Sequence, residues 1–109
     1  MSDRKLLELA AKAYGVELDY RRSSDAYYYD DPETGREQWC PPDDDGQALR
    51  LAVKLGINIR FCQETDSVIC SKDADGYQFE AVECMDEHGV RRAITMVAAE
   101  IGKRTGGAE

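Results

Sequence analysis

The sequence is poor in the side chains that metal sites and acid–base catalysts use. It has a single histidine, His88, and its four cysteines occur without a CxxC pair or another spacing typical of metal ligands. We therefore predict no metal ion and no cofactor. Without an export signal, all the cysteines are expected to be reduced thiols. They are Cys40, Cys62, Cys70 and Cys84.

Long apolar runs are missing as well. No stretch comes near the roughly 18 consecutive apolar residues of a membrane-spanning helix, and residues 1–9 mix charged side chains with leucines where a signal peptide would be uninterrupted. We therefore expect a cytoplasmic protein without a membrane partner. A length of 109 residues predicts one domain over residues 1–104 and a frayed tail over residues 105–109.

Basic charge is scarce, since 14 lysines and arginines stand against 22 aspartates and glutamates, for a net charge of −8. Proteins bind nucleic acids by neutralising phosphates with basic side chains, so we predict no direct nucleic-acid binding. An acidic surface instead suits a basic partner, which includes a protein that itself binds nucleic acid. The candidate acidic clusters are Asp30, Asp31 and Glu33, and then Asp43, Asp44 and Asp45.

Apolar residues at helical spacing predict three helices. The first ends at Gly15, and the second, opened by the aspartates at 43–45, ends at Gly56, because glycine readily takes the left-handed conformation that stops a helix. The third ends at Gly102 or Gly106. Its apolar stripe consists of Val90, Ile94, Val97 and Ile101.

Alternation of apolar and polar residues, together with runs of aromatic residues, predicts strands between the helices. Residues 27–29 and 36–39 form a hairpin, and residues 16–26 before it are interpreted as a connector. Asp75-Gly76 is suited to a tight turn between the last two strands. Further strands are predicted over residues 57–62, 67–71 and 77–83. The fold class is therefore α+β, an α-β-α sandwich with a mostly antiparallel sheet of about three to five strands and three helices.

The six tyrosines and one tryptophan exceed what so small a core needs, and such side chains are frequent at interfaces. In a strand, Tyr27 and Tyr29 share one face and Tyr28 takes the other, so each face needs a partner, a ligand or a packed helix. Together with the acidic clusters, these aromatics form the predicted partner-binding set. It comprises Tyr27, Tyr28, Tyr29, Asp30, Asp31, Glu33, Trp39, Asp43, Asp44 and Asp45.

One stretch of the chain is similar to a known peptide-binding module. Tyr28-Tyr29, Thr34, Trp39 and Pro42 resemble the second half of a WW domain in their paired aromatics, threonine, tryptophan and late proline. The resemblance covers about fifteen residues and implies an aromatic groove for proline-rich peptides. Proline-rich peptide binding is therefore one alternative function.

His88 is the residue best suited to general base catalysis near neutral pH. Asp86, Glu87 and Cys84 lie close to it in sequence, where a nucleophile or an orienting acid would be needed. Such neighbours in the loop before a helix are more often solvated or capping residues. We therefore assign no catalytic residue and predict that the protein is not an enzyme.

Three segments of the chain share a resemblance to one family. Residues 1–13 (MSDRKLLELAAKA), 39–56 (WCPPDDDGQALRLAVKLG) and 91–103 (RRAITMVAAEIGK) together resemble the phage ABA-sandwich domain, a group of small bacteriophage and prophage proteins. The resemblance covers all three predicted helices. It implies an α-β-α sandwich in the cytoplasm of a phage-infected host bacterium, and a family with no assigned activity.

Together with the acidic surface, this resemblance implies a phage-encoded, non-enzymatic binding protein that occludes a host factor, such as a nucleic-acid-binding component of a defence system like CRISPR interference. A homodimer is an alternative arrangement. Another alternative is a sponge that sequesters a nucleotide signal, whose phosphates would contact basic side chains. The basic groups available for this are Arg50, Lys54, Arg60, Arg91 and Arg92.

Overall fold

The computed structural model describes residues 3–32, 34–74 and 76–106. The helices in these residues are α1 (Asp3–Tyr14), α2 (Asp45–Leu55) and α3 (Glu87–Gly106), with a short 3-10 helix at Pro41–Asp43. The strands are β1 (Asp19–Arg21), β2 (Ala26–Asp31), β3 (Gly35–Gln38), β4 (Asn58–Cys62), β5 (Ser67–Ala74) and β6 (Tyr77–Cys84). The α+β class is confirmed, with the strands divided between two three-stranded antiparallel sheets.

The three predicted helices are present, and local chemistry accounts for their ends. α1 ends before Gly15, whose φ is +91°, and α2 ends before Gly56, whose φ is +66°. Asp44 caps α2 by accepting a hydrogen bond from the backbone N–H of Gln47 at 2.9 Å. α3 continues to Gly106 and so includes the first two residues of the predicted tail. Residues 107–109 lie outside the described residues.

Gly102, one of the two predicted stops, lies inside α3 and not at its end. A Cβ at this position would lie 1.9 Å from the carbonyl oxygen of Leu9 in α1, far inside contact distance. Glycine is therefore needed here because it lets the backbones of α1 and α3 approach closely. α1 makes its most extensive contacts with α3.

β1, β2 and β3 form the first sheet in that order. The predicted hairpin is confirmed as β2–β3, in which Tyr28 pairs with Gln38. The prediction of a connector over residues 16–26 is wrong in part, since β1 pairs with β2 and places Tyr20 opposite Tyr27. Their ring centroids lie 5.4 Å apart, a cross-strand contact that stabilises the pairing.

β4, β5 and β6 form the second sheet in that order. All three predicted strands are confirmed, and the register places Ala74 opposite Tyr77, so that β5 and β6 are joined by a tight turn. Asp75 of the predicted turn lies outside the described residues, whereas Gly76 has a φ of +79°. The buried side chains of this sheet include Val68 and Cys70, and α3 packs against β5 and β6.

α3 lies at the centre of the molecule and contacts α1, α2 and the second sheet. Its buried surface is wider than the predicted stripe and consists largely of small side chains, which allow close packing. The fully buried residues of this helix include Ala93, Thr95, Ala98 and Ala99. One core cluster joins residues of both sheets and all three helices. None of the helices in the described part of the chain has the length and apolar character for a membrane crossing.

Candidate functional site

Three of the predicted partner-binding aromatics are core residues. Tyr27, Tyr29 and Trp39 keep 7%, 2% and 1% of their surface exposed. α1 covers their face of the first sheet, where the Trp39 Nε1–H donates to the carbonyl oxygen of Leu7 at 2.9 Å and the Tyr27 hydroxyl donates to Glu8. The prediction that these side chains face a partner is therefore corrected, because a helix of the same chain occupies that face.

The burial of Trp39 also affects the prediction of a groove for proline-rich peptides. Trp39 packs against Tyr14 of α1 and Tyr29 of β2, with ring centroids 5.5 and 5.1 Å away. A peptide groove of the WW type needs such a ring at the surface. Here the tryptophan instead anchors the first sheet to α1.

The remaining predicted residues of the hairpin lie nearer the surface. Tyr28 is half-buried on the sheet face opposite Tyr27. Asp30 is exposed, and its carboxylate lies 3.1 Å from Arg36. Asp31 is half-buried and accepts a hydrogen bond from a backbone N–H in the β2–β3 turn at 3.0 Å. Glu33 lies outside the described residues.

The second acidic cluster helps to join α2 to α3. Asp43 is exposed in the 3-10 helix, Asp44 caps α2, and the Asp45 carboxylate lies 2.6 Å from Arg91 of α3. The hydrogen bond that Arg91 donates to Asp45 raises the pKa of Arg91. The Arg91 Nε–H also donates to the carbonyl oxygen of Pro42 at 2.9 Å. This cluster is therefore partly structural, while Asp43 and the exposed Asp45 carboxylate remain at the surface.

A buried amide to which no sequence pattern pointed holds α2 against β3. Gln47 is 3% exposed, and its Nε2 donates to Glu37 at 3.0 Å and to the carbonyl oxygen of Gln38 at 2.6 Å. Its Oε1 accepts the backbone N–H of Cys40 at 2.7 Å. Hydrogen bonds from a threonine hydroxyl and from Gln47 lower the pKa of Glu37, which also lies 3.4 Å from Arg50.

An apolar cavity of about 240 Å³ lies between α2 and the β4 edge of the second sheet. Leu49 of α2, Ile59 of β4 and Val90 of α3 line it, together with the acidic Asp45 and Glu87 and the basic Arg91. Acidic and apolar side chains are thus combined here. One of the predicted partner-binding residues, Asp45, belongs to this site.

Exposed apolar side chains also occur further along both elements. Val53 follows Leu49 one turn later on α2, and the two are 73% and 59% exposed. Phe61 follows Ile59 on the same face of β4 and is 56% exposed. We refer to Leu49, Val53, Ile59 and Phe61 as the α2–β4 notch.

A larger concavity lies at the opposite edge of the same sheet. α1 and β6 both pack on α3 and leave a groove of about 960 Å³ between them. We refer to it as the α1–β6 groove. Its apolar lining includes Leu6, Leu9, Phe79 and Met96. Its charged lining consists of Lys5, Lys12, Arg92, Lys103, Glu80 and Glu100.

The basic side chains proposed for a nucleotide sponge do not converge. Arg50 and Arg91 form ion pairs with carboxylates of different elements, and Lys54 donates to the last carbonyl group of α1. Arg60 is exposed on the second sheet, and Arg92 lines the α1–β6 groove. These five groups therefore form no common phosphate site.

The residues considered for catalysis are exposed. His88 and Cys84 lie on either side of the turn between β6 and α3. All four cysteines are free thiols, and burial raises the pKa of Cys70 to about 11. Within residues 3–32, 34–74 and 76–106, no three histidine, cysteine, aspartate or glutamate side chains form a group suited to a metal ion.

The α2–β4 notch and the α1–β6 groove are therefore the two candidate binding surfaces. The resemblances to the phage ABA-sandwich family and to the WW domain stay predictions. No family model, no curated protein and no solved structure matches this chain.

Proposed function

We propose that the protein is a non-enzymatic binding protein that occludes a surface of another protein with its α2–β4 notch. The observation that most supports this is an apolar cavity with Leu49, which is 59% exposed, in its lining, on the two elements that also carry the exposed Val53 and Phe61. Single apolar residues are ordinary on a protein surface. Several exposed apolar residues on two neighbouring elements, one of them lining a cavity, are instead typical of an interface.

Covering the notch would be favourable because its side chains stay in contact with water in the free protein. Each Å² of apolar surface removed from water contributes about 25 cal/mol. α2 also presents its exposed residues from a fixed position, since Asp44 caps it and Gln47 bonds it to β3. A preformed surface loses little conformational freedom when a partner binds.

The charges at the notch favour a basic partner. Two acidic residues, Asp45 and Glu87, outnumber the one basic residue in the lining of its cavity, Arg91, which pairs with Asp45, and the chain as a whole carries a charge of −8. A partner with lysines or arginines around an apolar anchor would be complementary and would be attracted over a distance. Proteins that bind nucleic acids have such basic surfaces. Following the resemblance to phage proteins, we propose a bacterial host protein of this kind as the partner.

The test compares two variants at exposed apolar positions. L49Q/V53Q removes apolar surface from the notch, whereas V82Q changes a residue of β6 that is 53% exposed outside it. Tagged proteins are incubated with host lysate at low and moderate salt, and the captured proteins are quantified by mass spectrometry. We expect wild type and V82Q to retain the same basic host protein and L49Q/V53Q to capture about tenfold less of it. Equal capture by all three would contradict the proposal.

Two other outcomes would redirect the assignment. If sedimentation equilibrium of the purified protein shows a dimer that L49Q/V53Q dissociates, the notch is occupied by a second copy of the chain. If the captured material contains a nucleotide and no host protein, the sponge becomes the better account. Far-UV circular dichroism of each variant checks that the fold is intact.

A further inference from the structure

The α1–β6 groove has the length of a short extended peptide. On α3 it runs from Arg92 to Lys103, which is about 16 Å at the rise of an α-helix. About five residues of extended chain span that length. Residues 78–81 of β6 form the wall opposite α1, so the groove follows the strand.

β6 is an edge strand of the second sheet. Among the described residues it pairs with β5 alone. In an antiparallel strand, alternate residues direct their backbone N–H and C=O groups away from the neighbouring strand. β6 therefore offers a row of backbone donors and acceptors on the side away from β5, where a further strand could pair.

The lining of the groove has an apolar centre and basic ends. Leu9, Phe79 and Met96 supply apolar surface from α1, β6 and α3. Arg92 and Lys103 lie at the two ends of the α3 segment. An extended segment with apolar side chains at its centre and carboxylates at its ends matches this order.

The charge of the groove is opposite to that of the whole chain. Basic side chains outnumber acidic ones in its lining by four to two, whereas the chain carries a charge of −8. One of the four, Arg92, lies 3.9 Å from Asp3, whose side chain is 86% exposed. An ion pair as exposed as this one contributes little, so it is no obstacle to another carboxylate.

We propose that the α1–β6 groove binds an extended acidic segment of another polypeptide, which adds to β6 as a further strand of the second sheet. Main-chain hydrogen bonds to β6 hold the segment, and its end carboxylates face Arg92 and Lys103. The site lies at the sheet edge opposite the α2–β4 notch. It therefore does not depend on the function proposed for the notch.

A nucleic acid or a phosphate compound fits this groove less well. Single-stranded nucleic acids stack their bases on exposed aromatics, and the groove has one aromatic residue, Phe79, which is half-buried. Glu80 and Glu100 would repel a chain of phosphates that runs the length of the groove, whereas the peptide segment has carboxylates only at its two ends. A phosphate could accept hydrogen bonds from the N–H groups of β6 but could not donate to its carbonyl groups, whereas a peptide strand would use both.

The first experiment uses the wild-type protein and labelled peptides. Fluorescence anisotropy compares Glu-Thr-Val-Thr-Val-Thr-Glu with Lys-Thr-Val-Thr-Val-Thr-Lys, and we expect the acidic peptide to bind about tenfold more tightly. Two further acidic peptides carry N-methyl groups, one on every threonine and the other on the alternate residues. Because successive N–H groups of a strand point to opposite edges, one of these peptides should lose binding about tenfold and the other should keep it.

The second experiment compares charge reversal inside the groove with charge reversal outside it. R92E/K103E reverses the two ends of the groove, and R22E reverses an exposed arginine in the turn between β1 and β2. We expect R92E/K103E to lose about tenfold in affinity for the acidic peptide and R22E to bind like wild type. Circular dichroism confirms folding, and the N-methylated pair tests the proposal on wild type if R92E/K103E does not fold.

Three results would overturn the proposal. Equal binding of the acidic and lysine peptides would show that the basic side chains of the groove do not select an acidic segment. Equal binding of the two N-methylated peptides would show that no strand is added to β6. Displacement of the acidic peptide by sodium tripolyphosphate, with both N-methylated peptides still bound, would assign the groove to small anions instead.

Discussion

The two edges of the second sheet differ in shape and in charge. At the β4 edge, α2 leaves a small apolar cavity in whose lining acidic side chains outnumber the one basic side chain, and Val53 of α2 and Phe61 of β4 are exposed. At the β6 edge, α1 forms the far wall of a larger groove in which basic side chains outnumber acidic ones. One sheet thus offers two surfaces suited to different partners.

The placement of α1 and α2 around α3 explains this difference. Gly102 lets α1 pack tightly on α3, so the α1 wall of the groove has a fixed position. α2 is fixed instead by the cap at Asp44 and by the bonds of Gln47 to β3. The groove therefore depends on a helix–helix contact, and the notch depends on a polar network. Changes to one support should affect one edge of the sheet more than the other.

The largest effect is expected from Gly102→Ala, which acts on the groove side. The added Cβ would lie 1.9 Å from the carbonyl oxygen of Leu9, so α1 must move away from α3. We expect the free energy of unfolding in urea to fall by about 3 kcal/mol, and binding of the acidic peptide to be lost while binding at the notch persists.

Gly46→Ala is the matched control for that change. Its Cβ would meet only side-chain atoms, at 3.3 Å from Asp44 and 3.4 Å from Arg50. We expect its stability to stay within about 1 kcal/mol of wild type. If Gly102→Ala is as stable as this control, the close approach of α1 and α3 does not fix the groove.

A smaller effect is expected from Gln47→Ala, which acts on the notch side. The substitution leaves the N–H of Cys40 and the carbonyl oxygen of Gln38 without this buried partner. We expect a loss of about 2 kcal/mol in urea unfolding and weaker capture of a partner at the notch, with peptide binding in the groove retained. Gln63→Ala changes an exposed glutamine and should be neutral. Equal losses in the two variants would exclude the proposed role of Gln47.

The smallest effect is expected from lowering the pH, which should reduce the free energy of unfolding through Glu37 on the notch side. The folded pKa of Glu37 lies below its ordinary value of 4.5. Its carboxylate therefore stabilises the fold at pH values above the unfolded pKa, and this contribution is lost as the pH falls through the folded pKa. In urea unfolding, the free energy of unfolding of Glu37→Gln should fall less than that of wild type between neutral pH and about pH 3. Glu64→Gln, at an exposed position, should follow wild type.

Much of the fold could be predicted from the sequence because its signals are local. The caps and stops of α2, from Asp44 to Gly56, lie within the helix or beside it. The β5–β6 hairpin follows from alternation on both sides of a turn dipeptide. β1 was missed because it is three residues long and two of them are charged, so it has no alternation to detect.

The candidate sites could not be predicted because they depend on which elements pack together. The sequence placed Tyr27 and Tyr29 on one face of a strand, but it left open whether a helix or a partner covers that face. Gln47 lies in the first turn of an amphipathic helix, where a glutamine is ordinarily exposed, and its partners come from β3 and the segment after it. The groove combines residues of α1, β6 and α3, which no sequence spacing connects.

The burial of Trp39 gives the protein a built-in optical reporter. It is the only tryptophan of the chain, and its indole is 1% exposed between α1 and the first sheet. Its fluorescence should therefore shift to longer wavelength when the hairpin leaves α1, even while the second sheet is still folded around α3. Emission and far-UV circular dichroism, recorded on one sample during unfolding, would separate detachment of the first sheet from loss of the remaining structure.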